Sequence, residues 1–218
     1  MTYVSWAAMH EGAADRAYFD IVIPSLMEDL VRSRGTRNVT VPLAPAAMLG
    51  KNGRSVEAVA AELCNEREAF YIAFVHADTG GRALEAGMAA RSTAYQQAAY
   101  ELCEFSILRC VVIAPRHETE AWILADREAI GDALGYRGNL ADLGLPANAR
   151  EAEQLVDPKR VLNEAISKVR GRRSIISTEQ IVPAIAQRQN FAKLRASSSF
   201  SKFESALAVA LIDLGCIE

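Results

Sequence analysis

The apolar run from Ile107 to Ala114 passes straight into APRHETEAWILAD, Ala114 to Asp126, and this join constrains the fold more than any other stretch. A buried strand of Ile, Leu, Cys and Val stops at Pro115. A helix carrying Ala121, Trp122, Ile123 and Leu124 then starts behind two carboxylates, Glu118 and Glu120. The acids therefore sit where strand becomes helix. In an open α/β sheet ligands bind in the crevice outside the carboxyl ends of the strands, so these acids are either ligand groups or first-turn helix stabilisers.

The same alternation recurs along the chain. Tyr3 to Met9 is apolar and ends at His10-Glu11-Gly12, and a helical pattern follows from Ala13 to about Arg34, with Phe19, Ile23, Leu26, Leu30 and Val31 at helical spacing. A second strand is predicted over Asn38 to Leu43, then a turn-rich loop, LAPAAMLGKNGR. Ser55 is placed to cap a helix reaching about Glu66, with Val56, Val59, Ala60 and Leu63 as its apolar residues.

Ala69 to Val75 is the clearest buried strand, and it ends in His76-Ala77-Asp78 and Thr79-Gly80-Gly81. A helix from about Arg82 to Glu104 leads to the fourth strand, and the helix behind Glu118 and Glu120 is expected to run on to Leu134. Strands alternating with helices of this length predict an α/β fold: a mostly parallel four-stranded sheet, helices on both faces, right-handed crossovers. Gly135 to Ala149 reads as a turn-rich link. After the start signal Asp157-Pro158, only helices are expected: about Pro158 to Val169, Thr178 to Arg188 and Phe200 to Leu214, with Arg195 to Ser201 as a loop. The predicted division is an α/β domain over 1–135 and a helical C-terminal extension over 136–218, packed on it.

Cys64, Cys103, Cys110 and Cys216 stand among apolar neighbours without the short Cys-Cys spacing of zinc or redox sites, and they read as reduced core residues. The start of the chain carries no basic leader and no apolar run approaches membrane-spanning length, so a cytoplasmic protein with no membrane partner is expected. The net charge of -3 conceals an asymmetry. Between Lys159 and Lys202 ten basic residues face only Glu164 and Glu179, leaving about eight positive charges there and a clearly acidic remainder. Such a contrast suits a protein that holds a polyanion near a cation site, with Lys159, Arg170, Arg172 and Arg173 as candidate nucleic-acid contacts. It suits equally a basic face that pairs with the acidic part.

All three histidines, His10, His76 and His117, fall at predicted strand ends beside carboxylates, namely Glu11, Asp78 and Glu118. If the strands are parallel, the three ends share one rim. Taken singly, each residue has a plainer role. Glu11, Asp15, Glu118 and Glu120 would complement helix dipoles, an effect of about 0.3–1 kcal/mol each, and Asp78 would cap a turn. Taken together, converging carboxylates are what magnesium requires, as a hard ion that takes oxygen ligands. The histidines suit manganese or zinc better, or serve as general acid or base near neutral pH. GKNGRS at Gly50 lacks Walker spacing, and no GxSxG or HExxH motif occurs. Arg116 and Lys159 are candidate phosphate contacts, with a surface role favoured for Arg116.

His-Glu-Gly ahead of a long helix, His-Ala-Asp after a buried strand, Pro-x-x-Glu-x-Glu-Ala-Trp-x-x-Ala-Asp, and Asp-Pro-Lys opening a helical tail together form a recognisable order. It resembles a bacterial Toprim-like family of unknown function met near mobile-element and phage-defence genes. The resemblance covers about Val4 to Leu211, and the Glu-x-Glu-Ala-Trp element is its most specific part. It implies a Toprim-type sheet in which Glu11 is general acid or base or a metal ligand, Asp78 holds magnesium, and Glu118 and Glu120 complete the acidic edge. Toprim domains cut, or break and rejoin, phosphodiester bonds. Where they usually carry Asp-x-Asp this chain reads His76-Ala77-Asp78, with Gly80 at the next alternate position, so one metal-binding carboxylate is missing.

Two functions are therefore expected. The first is a metal-dependent nuclease or related phosphoryl-transfer enzyme using magnesium or manganese, with Glu11, His76 and His10 as catalytic groups, Asp78, Glu118, Glu120 and Glu11 as metal ligands, and the basic tail on nucleic acid. The second is a non-catalytic module that binds a partner protein or a phosphate-bearing ligand. An ATPase encoded beside it would make it one part of a two-component effector.

Overall fold

The structure, a computed structural model, describes residues 2–51, 53–79, 86, 88, 93–171 and 178–218. Its strands are β1 (Thr2–Tyr3), β2 (Trp6–Met9), β3 (Val39–Thr40), β4 (Ala47–Met48), β5 (Ile72–His76) and β6 (Cys110–Ile113). Its described helices are α1 (Ala13–Arg34), α2 (Val56–Glu66), α3 (Thr93–Cys103), α4 (Glu120–Ile123), α5 (Arg127–Leu134), α6 (Ala149–Ala152), α7 (Pro158–Arg170), α8 (Thr178–Ala186), α9 (Phe191–Leu194) and α10 (Ser198–Asp213).

Four strands form one parallel sheet in the order β4-β2-β5-β6. Its centre is buried on both sides, which is why β5 and β6 read as unbroken apolar runs. Alternate residues divide between the two faces. Trp6, Ala8, Ile72, Phe74, Val111 and Ile113 join the core under α1 and the C-terminal helices, whereas Ala7, Met9, Ala73, Val75, Cys110 and Val112 meet α2 and α3. The larger core runs without a break from residues before 135 to residues after it. Trp122, fully buried, meets Phe200 and Phe203 at centroid distances of 5.1 and 5.5 Å.

α2 begins as its cap predicts, the Ser55 hydroxyl accepting from the Ala58 N–H at 3.2 Å. Several other expectations need correction. The predicted strand over Asn38 to Leu43 shrinks to β3, which pairs with β1, and the edge of the main sheet is β4, from the expected loop. Pro42 and Pro45 supply no N–H to a ladder, and the Pro42 carbonyl instead accepts from the Trp6 indole at 2.9 Å. Ile107–Arg109 is a turn of 3-10 helix rather than strand.

The expected helix through Leu134 is broken between α4 and α5. Asp126 caps α5 through the Ala129 N–H at 3.3 Å, and the Gln189 amide donates to the carbonyls of Trp122 and Ile123 at 2.8 and 3.2 Å. Groups at both freed ends thus find partners, which offsets part of the cost of the break. Arg195 to Ser201 is not simply a loop either, because Ser197 caps α10. The buried Glu153 carboxylate accepts from the hydroxyls of Ser197, Ser198 and Ser199 and from two of their backbone N–H groups. Of the predicted helix from Arg82, the part before residue 93 lies largely outside the described residues, as do Gly80 and Gly81.

The cysteines also depart from the expectation. Cys64 and Cys103 form a disulfide between α2 and α3, while Cys110 and Cys216 are free and buried. A bond with a sequence separation of 39 constrains the unfolded chain strongly. Reducing it is expected to lower stability by about 2–4 kcal/mol, read as a drop in the urea midpoint that a Cys64→Ser/Cys103→Ser variant reproduces without reductant. No described helix is long and apolar enough to cross a membrane.

Candidate acid and histidine site at the strand ends

Parallel pairing sets Met9 beside Val75, and His76 beside Ile113, so the segments following β2, β5 and β6 emerge along one rim. There the Asp78 N–H donates to Glu11 Oε2 at 3.4 Å, and the Glu11 N–H points at His76 Nδ1 from 3.4 Å. His76 is fully buried, with Nε2 3.1 Å from Asp78 Oδ1 and 3.3 Å from Thr119 Oγ1. Thr119 donates to Asp15 Oδ1 at 2.6 Å, and Asp15 Oδ2 lies 3.9 Å from His76 Nδ1. The groups that follow three strands, together with the first turn of α1, thus meet around one imidazole.

His10 lies next to this cluster, its ring centroid 6.4 Å from that of His76, and stacks on Phe19 at 5.7 Å. Its Nε2 is 3.4 Å from Asp20 Oδ1 without hydrogen-bond geometry. Burial pushes the His10 imidazole below its ordinary value despite Asp20. Burial acts on His76 in the same direction, but Asp78, Asp15 and Glu11 outweigh it and the imidazole is raised.

His117, half-buried, has a left-handed backbone with φ 66° and donates its N–H to Thr79 Oγ1 at 3.1 Å. That bend turns the chain at Glu118 and Glu120. Glu118 Oε2 is buried without a hydrogen-bond partner. Glu120 is 6% exposed, and burial, helped by the charges of Glu118 and Asp15 and opposed by Lys159, lifts its carboxyl from 4.5 to about 7.

A carboxyl whose folded pKa is raised binds more protons folded than unfolded, so stability falls as pH rises through that window. Glu120→Gln is therefore expected to stabilise the apo chain by about 1–3 kcal/mol above pH 7, with the gain vanishing below about pH 4.5. Urea melts at the two pH values check the sign.

A cleft of about 420 Å³ opens beside the rim, lined by Met9, Glu11, Arg54, Ser55, Val56, Ala77 and Tyr95. Its lining thus includes a carboxylate and a guanidinium. The donor chemistry of the rim suits a hard divalent ion. Among the described residues, however, no group of three His, Cys, Asp or Glu side chains is set to hold one. Magnesium is commonly bound through only one or two carboxylates, with substrate phosphates and water completing its shell.

Of the predicted residues, Glu11, His76 and Asp78 are in direct contact, His10 is adjacent, and Glu120 feels the charges of Glu118 and Asp15. Lys159 is exposed and its charge reaches Glu120, whereas Arg170 is exposed at the end of α7. Arg172 and Arg173 lie outside the described residues. Arg116 is not a simple surface charge: it is half-buried, with Nε fully buried and unpartnered.

Part of the basic tail is spent on the acidic part of the chain. Lys193 pairs with Asp126 and Glu128 at 2.7 and 2.8 Å, and Arg195 with Asp29 and Glu204 at 2.8 and 2.6 Å. Asp15 and Thr119 are the members that sequence reasoning missed. The sequence offered Asp15 only as a helix-dipole group, and Thr119, between two carboxylates, carries no charge to single it out. No family model matches the chain, and no curated protein or solved structure matches it.

Proposed function

We propose that this chain is a metal-dependent phosphoryl-transfer enzyme, in its fullest form a Toprim-type nuclease acting in phage defence. The observation that carries the reading is the meeting of Glu11, His76 and Asp78 from two parallel strands, with Glu118 and Glu120 following a third. Asp78, Glu118 and Glu120 would hold magnesium or manganese, with Glu11 either the proton carrier or a further ligand. The bound ion supplies neutralisation of charge that develops on a phosphoryl group. Glu11, which lines the cleft, acts on the attacking or leaving oxygen as general base or acid. His76 and His10, both buried, support it from behind. Exposed Lys159 and Arg170 supply backbone phosphate contacts, joined by Arg172 and Arg173.

A cytoplasmic location belongs to this reading because nucleic acid is found there. The Cys64–Cys103 bond is the observation against it, since reducing compartments keep such pairs as thiols.

One observation favours a second reading. Without three ready-made ligands among the described residues, the rim also suits a non-catalytic module that binds a partner protein, such as an ATPase, or a phosphate-bearing ligand. Labelled DNA and RNA incubated with the full chain and either metal separate the two readings. The enzyme yields metal-dependent products that EDTA abolishes, and the module yields none. In the module, reversing Arg170, Arg172 and Arg173 abolishes binding while Glu11 and Asp78 tolerate substitution.

A further inference from the structure

Behind the rim, Asp15, Thr119, His76 and Asp78 form one chain of polar contacts. Thr119 is 1% exposed, and its Oγ1 lies 2.6 Å from Asp15 Oδ1 and 3.3 Å from His76 Nε2. A hydroxyl has a single proton to give, and an ionised carboxylate can only accept. The proton therefore goes to Asp15, and toward His76 the threonine oxygen is left only as an acceptor. Nε2 must then carry hydrogen, and the same nitrogen faces Asp78 Oδ1 at 3.1 Å. On the opposite side of the ring the Glu11 N–H approaches Nδ1, which suits a nitrogen with a free lone pair. The Glu11 N–H, the Thr119 oxygen and Asp78 all select the tautomer with hydrogen on Nε2, while Asp15 Oδ2, the acceptor on the Nδ1 side, stands 3.9 Å away, beyond hydrogen-bond distance.

The two ends of this chain differ in access. His76 is fully buried and cannot touch a substrate, whereas the Asp78 side chain keeps 21% of its surface open at the rim. We propose that Asp15 and Thr119 are positioning residues: they hold His76 as an Nε2–H donor, and His76 in turn fixes the orientation of the Asp78 carboxylate. This rests on the metal-site reading above, in which the direction of a ligating carboxylate matters. Groups that hydrogen-bond a ligand from behind typically contribute about 10–100-fold to metal affinity or activity.

Two measurements on the full-length chain test the proposal, and the first is independent of any activity. Long-range ¹H–¹⁵N spectra of histidine-labelled protein in EDTA, at alkaline pH where the ring is neutral, report which nitrogen of His76 carries hydrogen. Nε2–H is expected. An Nδ1–H ring would turn a lone pair toward Asp78 and withdraw the Nε2–H contact on which the proposal stands, which overturns it.

The second measurement is titration with Mn²⁺ alone. Thr119→Val, which keeps the shape and deletes the hydroxyl, is expected to bind the ion about 10–100-fold more weakly, and Thr119→Ser to return to within about threefold of wild type. Asp15→Ala cuts the same chain at a part-exposed position and is expected to match the valine variant, which covers the case in which Thr119→Val fails to fold. Unchanged affinity in either folded variant, or a serine variant as weak as valine, overturns the proposal. If wild type binds no Mn²⁺ the metal reading itself fails, and the tautomer decides the relay alone.

Discussion

Trp122→Ala is expected to cost about 3–5 kcal/mol, the range for removing a large aromatic from a well-packed core. The indole is fully buried, lies against Phe19, Phe200 and Phe203, and donates Nε1–H to Ser199 Oγ at 2.7 Å. Ser199 in turn donates to the buried Glu153 carboxylate. The side chain therefore joins the helix behind the acidic rim to the N-terminus of α10 both by packing and by a polar chain. At roughly 2–4 °C per kcal/mol for a chain of this size, thermal unfolding should fall by about 6–20 °C. Trp122→Phe separates the two contributions. It keeps most of the packing but strands the Ser199 side of the network, with an expected loss of about 1–3 kcal/mol. A melt unchanged by either substitution would show that the tail does not lean on this residue.

The second large effect concerns chemistry. Glu11→Gln keeps shape and hydrogen-bonding capacity but cannot carry a proton to or from a reacting oxygen, and a positioned general acid or base is worth about 10²–10⁴-fold. Single-turnover cleavage of labelled nucleic acid under saturating metal is expected to slow by that factor. Asp78→Asn is expected to act differently, by raising the metal concentration needed for half-maximal rate, because the ligand loses its negative charge although an amide oxygen can still accept from His76 Nε2–H. Equal rates for wild type and Glu11→Gln would remove the enzymatic role of the rim.

How much of this could be read beforehand depended on how local the cause was. α1 and α2 could be placed because periodicity and the Ser55 cap are local signals, and β5 and β6 because burial on both faces leaves a plain apolar run. Convergence of His10, Glu11, His76 and Asp78 followed from parallel topology, which sends the ends of β2 and β5 to one rim.

What escaped was decided at a distance. The break before Asp126 is stabilised by Gln189, more than sixty residues away along the chain. β4 is only two residues long, and what makes it a strand is its pairing with Ala7 and Ala8. The Cys64–Cys103 bond depends on how α2 approaches α3, with Cα atoms 5.9 Å apart, and spacing along the chain carries no such information. Thr119 is the unspecified residue between Glu118 and Glu120, and only its hydroxyl contacts with Asp15 and His76 give it a role.

The basic tail shows the same division. Eight net positive charges suggested a polyanion partner, yet Lys193 and Arg195 are already held by Asp126, Glu128, Asp29 and Glu204. Lys159, whose charge reaches Glu120, and Arg170, at the end of α7, are among the exposed basic residues that remain.

Whether the rim holds an ion is the question on which the enzyme stands. Crystals of the full chain soaked in Mn²⁺, with data collected for anomalous scattering, answer it directly. A peak within coordination distance of Asp78 and of Glu11 or Glu118, lost in Asp78→Asn, is the predicted result. A map with no peak at the rim, or one that keeps its peak in Asp78→Asn, would contradict the proposed metal centre.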